Sequence, residues 1–339
     1  MNKLGIIILN WNGYKDTIEC INSISSNEEK EYAIFLLDNG SSDESVLNIE
    51  KWLNLEYKYS YLALKNTEFN IIDNFEGVRL IFIKGEENLG FAKGNNYVIN
   101  KIKDLFEYIL LLNNDTVITK NALSKMVDYL DVNKNTGAAS CDIRYYSDHT
   151  KLWNAGGKFT FYGDRKYYRQ EKIDEYKKND AISIKSPFIT GCALMIRREI
   201  LKEYGLLTEN FFFGEEDYNY CKRLEKNMVN VETILTSTIY HKISSSIKKL
   251  DDESGERIYN NYILHFSNRI IDHKEFYSYK YWLIWRIFYM IAIMLKVLRK
   301  TKNLKIAKYT ISQINYYSKN FNGIDYRLFK EIKENRMLK

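Results

Sequence analysis

Four unbroken apolar runs, each stopped by small polar residues, constrain this chain more than any other feature. They are Leu4–Leu9 ending in Asn10-Trp11-Asn12-Gly13, Tyr32–Leu37 ending in Asp38-Asn39-Gly40-Ser41-Ser42-Asp43, Val78–Ile83 ending near Glu87-Asn88-Leu89-Gly90, and Tyr108–Leu112 ending in Asn113-Asn114-Asp115. Continuous apolar runs, as opposed to alternating ones, mark strands buried on both faces of a parallel sheet. Helical periodicity at 14–25, 43–54, 91–103 and 119–131 lies between and after them, which predicts βαβ units with right-handed crossovers. Strands of such sheets present ligand-binding residues at their carboxyl ends. The polar stops therefore predict one shared ligand edge. Segment 55–74 breaks the rhythm and reads as an insertion.

At the end of the fourth run, Asp115 is a hard oxygen donor, suited to a divalent cation that holds a substrate phosphate. An Asx-type turn into the next helix accounts for the same residues without a ligand. No G-x-G-x-x-G follows the first strand and no G-x-x-x-x-G-K-[ST] occurs, so neither the dinucleotide fingerprint nor a P-loop is present. Cys20, Cys141, Cys192 and Cys221 lie far apart with no C-x-x-C pair, so the expectation is a reducing compartment and no zinc or redox site. The first residues hold one lysine and a six-residue apolar run, too short for a signal peptide. The glycosylation sequons at Asn39 and Asn114 are accordingly read as incidental.

Beyond 135 the pattern changes. Gly137–Ile143 reads as a strand, and Trp153–Gly157 with Phe159, Phe161, Tyr167 and Tyr168 as a glycine-bent hairpin. Residues 169–183 are charged and read as a loop. Pro187–Ile196 reads as a buried strand with Gly191 inside it, marking either close approach of a ligand or plain packing. Phe211-Phe212-Phe213-Gly214-Glu215-Glu216-Asp217 opens a helix to about 226, and two strand-like stretches, 229–234 and 236–240, end at His241.

Six segments now stand in a recognisable order: Asp38–Asp43, Asn88–Asn96, Leu112–Asp115, Thr190–Arg198, Phe212–Asp217 and Tyr240-His241. Together they resemble glycosyltransferase family 2 over about residues 3–245, and within it the bacterial rhamnosyltransferase-like enzymes of surface polysaccharide assembly. The resemblance implies an α/β GT-A fold, a nucleotide-diphospho-sugar donor, a divalent metal and an inverting mechanism. Two departures stand out. Leu207-Thr208-Glu209 replaces the usual Phe-Asp-Glu. In the acidic helix Asn219 replaces the second Asp and Tyr220 the Leu, while Arg223 is kept; this bears on acceptor binding.

The resemblance also implies roles for single residues. Asp115 becomes a metal ligand, with Asn113 and Asn114 beside it at the donor. His241 becomes the second metal ligand, tilting preference from Mg²⁺ towards Mn²⁺. Asp38 accepts the N3–H of a pyrimidine, so UDP or dTDP, flanked by Asn10 and Asn12. Asn88, Gly90, Lys93 and Asn95 serve the ribose or diphosphate, and a plain strand-to-helix turn is the other reading of that segment. Asp217, near a helix start whose dipole favours the ionised form, is the expected base, with Glu216 as its alternative. All three acids at 215–217 also fit simple decoration of a helix N-terminus. The aromatic run before them would floor a sugar pocket. Asp43 is expected to cap the helix at 43–54.

With 339 residues, 45% hydrophobic and 28% charged, the chain has room for a large domain and an appendage. The division expected is a catalytic domain over 1–245 and a helical, basic region over 246–339. Residues 247–339 carry 19 Lys+Arg against 9 Asp+Glu, pointing to an anionic surface as their partner; no nucleic acid is expected. Tyr281–Leu298 holds only Arg286 and Lys296 as charges, about 80° apart on a helix. Two readings stand: an amphipathic helix on the inner leaflet, with the Lys-rich 299–308 touching anionic lipid, or a core helix packed on the catalytic domain. The first gives a cytoplasmic enzyme, peripheral on the inner face of the cell membrane, near a glycan or lipid-linked oligosaccharide acceptor. The function expected is transfer of a sugar, rhamnose or a hexose, to a growing cell-surface glycan. The rivals are a nucleotidyltransferase acting on a sugar phosphate and a non-catalytic scaffold of a polysaccharide complex.

Overall fold

The computed structural model describes residues 2–69, 77–243 and 256–334. In chain order the elements are β1 (Asn2–Asn10), α1 (Tyr14–Asn27), β2 (Tyr32–Asp38), α2 (Ser45–Leu55), β3 (Tyr61–Lys65), α3 (Asn66–Phe69), β4 (Leu80–Lys84), α4 (Gly90–Ile102), β5 (Phe106–Asn113), β6 (Thr116–Ile118), α5 (Ala122–Val132) and β7 (Thr136–Tyr145). They continue with β8 (Asp148–Asn154), β9 (Gly157–Phe159), β10 (Arg165–Tyr167), α6 (Gln170–Lys178), β11 (Ser183–Lys185), β12 (Ala193–Arg197), α7 (Arg198–Tyr204), α8 (Glu216–Lys226) and β13 (Asn230–His241). Four helices follow: α9 (Glu256–Phe276), α10 (Tyr279–Thr301), α11 (Leu304–Asn320) and α12 (Tyr326–Glu334).

The main sheet has the order β11-β13-β7-β12-β5-β1-β2-β4-β3, with β6 paired to β13 and β8 to β7. From β5 to β3 every neighbour is parallel, and β12 enters antiparallel between β5 and β7. The four apolar runs are β1, β2, β4 and β5. Ile6, Ile8, Leu110 and Leu112 face a core shared with α1, α2 and α5, whereas Ile7, Ile109 and Leu111 face a second core shared with α4 and α8. Burial on both faces is why these runs do not alternate.

Four expectations need correction. Segment 55–74 is not an insertion: its described part contains β3, the parallel edge strand of the sheet, and α3. Residues 169–183 are not a loop, because α6 fills 170–178 with Ile173 as its buried residue. Gly191 lies in the turn before β12, not within a strand. The stretches 229–234 and 236–240 are one strand, β13, whose register against β7 shifts between Ile234 and Thr238. Such a bulge explains the apparent break in its pattern.

Helices α9–α12 form a layer with its own core, built around Tyr259, Ile270, Trp282, Ile293, Ile314 and Leu328. Phe211 belongs to that core, and Phe212 packs on Tyr326 and Phe329. Through Phe211 and Phe212 the aromatic run therefore anchors the helical layer, while Phe213 stays exposed. Backbone bonds join Phe212 N to Ile324 O (2.7 Å) and Ile324 N to Asn210 O (2.8 Å). The boundary expected at 245/246 falls outside the described residues. Helix α10 packs through Trp282, Trp285, Ile293 and Val297; along it, half-buried Arg286 donates to Asn315 Oδ1, and exposed Lys296 lies over the Phe266 ring. Ile284, Ile287, Phe288, Ile291 and Leu295 remain exposed along its other side. So the helix is a packing element on one face and an apolar surface on the other.

Helix α4 starts at Gly90 with φ +78°, where a Cβ would meet the Phe212 carbonyl oxygen at 2.4 Å. Gly90→Ala is expected to lower unfolding free energy by about 1–3 kcal/mol through this strain and clash. Urea unfolding checks it; a midpoint equal to the parent's would contradict the close approach.

Candidate active site

The sheet register collects the polar strand ends. Lys84 pairs with Asp38, Asp38 with Asn10, and Leu9 with Asn113 on the next strand. Asp38 is fully buried: its Oδ2 accepts from Asn10 Nδ2 (2.7 Å) and Ser41 Oγ (2.7 Å), and its Oδ1 from Ser41 N (2.9 Å). The network continues, with Thr17 Oγ1 donating to Asn10 Oδ1 (2.7 Å) and Asn114 Nδ2 donating to Thr17 Oγ1 (2.9 Å). Asn12 has φ +52° and takes part through its backbone N–H to Ser41 Oγ (2.9 Å). Asn114 thus ties the end of β5 to α1. Asp43 accepts from Ser45 N (2.9 Å) one residue ahead of Glu44, which holds the N-cap position of α2.

A second set of amides holds the start of α4. Asn39 Oδ1 accepts from Leu89 N (3.0 Å), and its Nδ2 donates to Asn88 Oδ1 and Gly90 O; Asn88 Oδ1 also accepts from Gly90 N (2.9 Å). Asn95 is buried and donates back to Phe91 O, whereas Lys93 is exposed. Asn96 bonds Leu207 O and Glu209 Oε1 (both 2.9 Å), so Glu209 anchors the altered turn before the aromatic run.

Asp115 and His241 lie 126 positions apart in sequence, yet Nε2 of the imidazole stands 3.0 Å from Asp115 Oδ1. Antiparallel pairing of β6 with β13 sets His241 opposite Thr116, and Lys242 N donates to Asp115 O (2.9 Å). The ring packs edge-on to Trp153 (4.3 Å between centroids), and its Nδ1 is buried without a hydrogen-bond partner. One carboxylate and one imidazole at this spacing suit adjacent ligands of a single divalent ion. Among the described residues no third His, Cys, Asp or Glu joins them to make a three-residue cluster.

The acidic loop reaches this edge through Gly191. Asn113 N donates to Cys192 O (2.9 Å), and Gly191 N donates to Asp217 Oδ2 (3.3 Å). A Cβ on Gly191 would lie 3.1 Å from the Phe91 ring and 3.7 Å from Asp217 Cβ. Glu215, the N-cap of α8, has φ +81°, a conformation that costs a non-glycine residue about 1–2 kcal/mol. Its buried carboxylate pairs with Arg269 of α9 and lies 3.5 Å from Arg165. Burial opposes its ionisation, but the two guanidiniums outweigh that and hold it below the usual carboxylate range. Glu216 is buried with Oε2 unpartnered; burial, then the neighbouring Asp217 charge, pushes it up to about 8. Asp217 is partly exposed and lies 3.4 Å from Arg165 Nη1. That shift holds Glu216 protonated at neutral pH.

Asn219, where an Asp was expected, donates to Asp272 Oδ1 (2.6 Å) and Glu275 Oε2 (2.9 Å) of α9. An Asp there would set a third carboxylate against these two. Arg223 donates to the carbonyls of Tyr204 and Leu206. Sequence reasoning missed Arg165, Arg269 and Trp153. The first lies in a short hairpin with weak pattern, and the second sits in a tail whose basic residues read as surface charge. A cavity of about 420 Å³ lined by Asn2, Glu31, Tyr32, Tyr59, Ser60 and Arg79 lies at the amino ends of β1 and β2, away from this edge.

With that geometry in place, the sequence profile of glycosyl transferase family 2 matches residues 5–205. The chain belongs to glycosyltransferase family 2. The match includes Asn10, Asp38, Asp115 and Gly191 but ends before Glu216, Asp217 and His241. An uncharacterized glycosyltransferase of Methanocaldococcus jannaschii is 22% identical over 234 residues, 67% of this chain and 72% of its own. The bifunctional glycosyltransferase pgtA of Dictyostelium discoideum is 26% identical over 142 residues, 42% of this chain but 16% of its own. Among solved structures, GalNAc-T7 with UDP, GalNAc and Mn²⁺ superposes with a TM-score of 0.56 at 15% identity, covering 80% of this chain and 51% of that one. Staphylococcus aureus TarS 1–349 gives 0.50 at 13%, covering 94% and 90%. This glycosyltransferase therefore has the GT-A fold, and membership sets aside the nucleotidyltransferase and scaffold readings.

The raised Glu216 of this glycosyltransferase links its stability to pH. A carboxyl that holds its proton more tightly when folded contributes stability fully below the ordinary carboxylate range and loses it as pH rises through about 8. Glu216→Gln is expected to lack that loss, so urea midpoints should diverge in the variant's favour from about pH 5 to pH 8. A parent–variant difference independent of pH would contradict the assignment.

Proposed function

We propose that the protein is an inverting, metal-dependent glycosyltransferase that moves rhamnose or a hexose from a UDP- or dTDP-sugar to a hydroxyl of a growing cell-surface glycan. The observation that carries this is the Asp115–His241 pair, 3.0 Å apart at the carboxyl edge of the sheet. These two side chains would hold the cation, with Mn²⁺ favoured by the imidazole and Mg²⁺ admissible. When bound, such a cation supplies positive charge where the leaving diphosphate develops negative charge. Asn113 borders the donor, and Asn10, Asn12, Asn88, Gly90, Lys93 and Asn95 shape or flank its site. Asp38 receives the pyrimidine N3–H; because Ser41 and Asn10 cover it, base binding must turn the Ser41 hydroxyl aside. The GalNAc-T7 structure with UDP supports a uridine donor without deciding the sugar.

The acceptor hydroxyl attacks the anomeric carbon from the face opposite the diphosphate. Its proton passes to Asp217 while the carbon–oxygen bond to the diphosphate breaks, so configuration inverts. Gly191 N–H and Arg165 orient the Asp217 carboxylate for this step. Glu216, protonated at neutral pH, is unavailable as the base.

Asp217→Asn is expected to keep donor binding, read by thermal shift with UDP-sugars and Mn²⁺, while turnover falls about 10²–10⁴-fold. Parental turnover would place the base elsewhere, and a donor panel that yields no product with the parent would refute the transferase reading.

The catalytic unit proposed is 1–245, with 246–339 as its helical layer, cytoplasmic and peripheral on the inner face of the membrane. Helix α10 is long and apolar enough, by length and composition, to cross a membrane. Its packing on α9 and α11 supports an in-plane position instead, with Ile284, Ile287, Phe288, Ile291 and Leu295 towards lipid. Exposed Arg299, Lys300, Lys302, Lys305 and Lys308 suit an anionic surface, and so a lipid-linked acceptor. The parent is expected to float with phosphatidylserine-rich vesicles and the Ile287→Asp/Phe288→Asp variant to stay behind. Recovery of the parent wholly in the unbound fraction at low salt would sink the membrane claim.

A further inference from the structure

Helix α9 holds the acidic loop on both sides of Glu216 and Asp217. Asn268 Nδ2 donates to the carbonyls of Phe213 (3.1 Å) and Gly214 (3.3 Å). Arg269, fully buried, donates from Nε to Glu215 and from Nη1 to Asp164 Oδ1 (2.6 Å). Its guanidinium also lies 4.0 Å over the Tyr218 ring, whose hydroxyl donates to Gly163 O. Asp272 and Glu275 take Asn219.

The loop held this way is unusual. Gly214 and Glu215 both have left-handed backbone, at φ +83° and +81°, immediately before α8. Consecutive left-handed residues ending on a glutamate persist only where the surroundings over-determine them. Arg269 provides that restraint and, through Asp164, fixes the β9–β10 hairpin that carries Arg165. Arg165 in turn lies 3.4 Å from Asp217 and 3.5 Å from Glu215.

We infer that Arg269 is a positioning residue for Asp217, so that the C-terminal helical layer completes the active site and is more than a membrane attachment. This rests on Asp217 being the base. Arg269 reaches neither donor nor acceptor in this account; it sets the turn and the hairpin between which Asp217 is held. An arginine matters here because its planar fork engages two carboxylates on different segments at once, which a lysine does not reproduce.

The experiment uses the full chain in three variants: R269K, R269M and the double variant R269M/E215Q, which removes the Glu215 carboxylate together with its Arg269 partner. Steady-state kinetics are run alongside hydrogen exchange of the segment 213–219. R269M is expected to lose about 100-fold in kcat with donor KM nearly unchanged, because an Asp217 displaced by an ångström no longer meets the hydroxyl. R269K is expected to recover only part of that loss. The double variant should melt close to the parent, yet keep the low kcat and fast exchange at 213–219. A stably folded double variant with parental kcat would overturn the inference, as would a defect confined to KM. Unchanged exchange in R269M would overturn it too. If the parent transfers no sugar, faster exchange in R269M still supports the restraint while the transferase reading fails.

Discussion

Strand β5 lies between a parallel neighbour, β1, and an antiparallel one, β12, and the site depends on that placing. On one side β1 runs parallel, so Asn10 and Asp38 end level with Asn113. On the other, β12 runs antiparallel, so its beginning lies beside the end of β5. One backbone bond, Asn113 N to Cys192 O, therefore separates the donor edge from Gly191 and Asp217. Parallel strands alone would have put the residue after β5 and the residue before β12 at opposite ends of the sheet. The second junction, β6 with the end of β13, folds His241 back onto Asp115 by the same antiparallel logic.

Three consecutive acids at one turn would repel one another in a site of low polarity, and the fold treats each differently. Glu215 is neutralised by buried Arg269 and half-buried Arg165 and serves as structure. Glu216 is buried away from any cation close enough to pair with it and so keeps its proton. Asp217 retains some exposure, a backbone donor and an arginine at one edge. The division of roles among neighbours with the same chemistry comes from where α9 and the β9–β10 hairpin sit, not from the acids themselves.

Much of the parallel half was legible in the sequence, because burial on both faces writes itself as an uninterrupted apolar run. β3 escaped because its apolar run, Tyr61–Leu64, is only four residues long and belongs to a mostly half-buried edge strand. α6 escaped because one buried residue, Ile173, carries no amphipathic period. At the site, Asp38 and Asp115 could be picked out as polar ends of strands, but nothing local to His241 marks it; the family resemblance supplied it, and the strand pairing then set it beside Asp115. Arg269 was illegible for a simple reason: a fully buried arginine and a solvated one are the same letter in a basic tail. The anchoring role of Phe211 and Phe212 could not be read locally, since aromatics that anchor a helical layer pattern like those that line a pocket.

The central claim is a single ion held by one carboxylate and one imidazole at this sheet edge. Calorimetric titration of Mn²⁺ into the protein saturated with UDP tests it most directly, comparing the parent with Asp115→Ala and His241→Ala. One ion per chain is expected in the parent and an affinity weakened by at least about tenfold in each variant, as loss of one of two protein ligands requires. Equal Mn²⁺ affinity in all three proteins would contradict it.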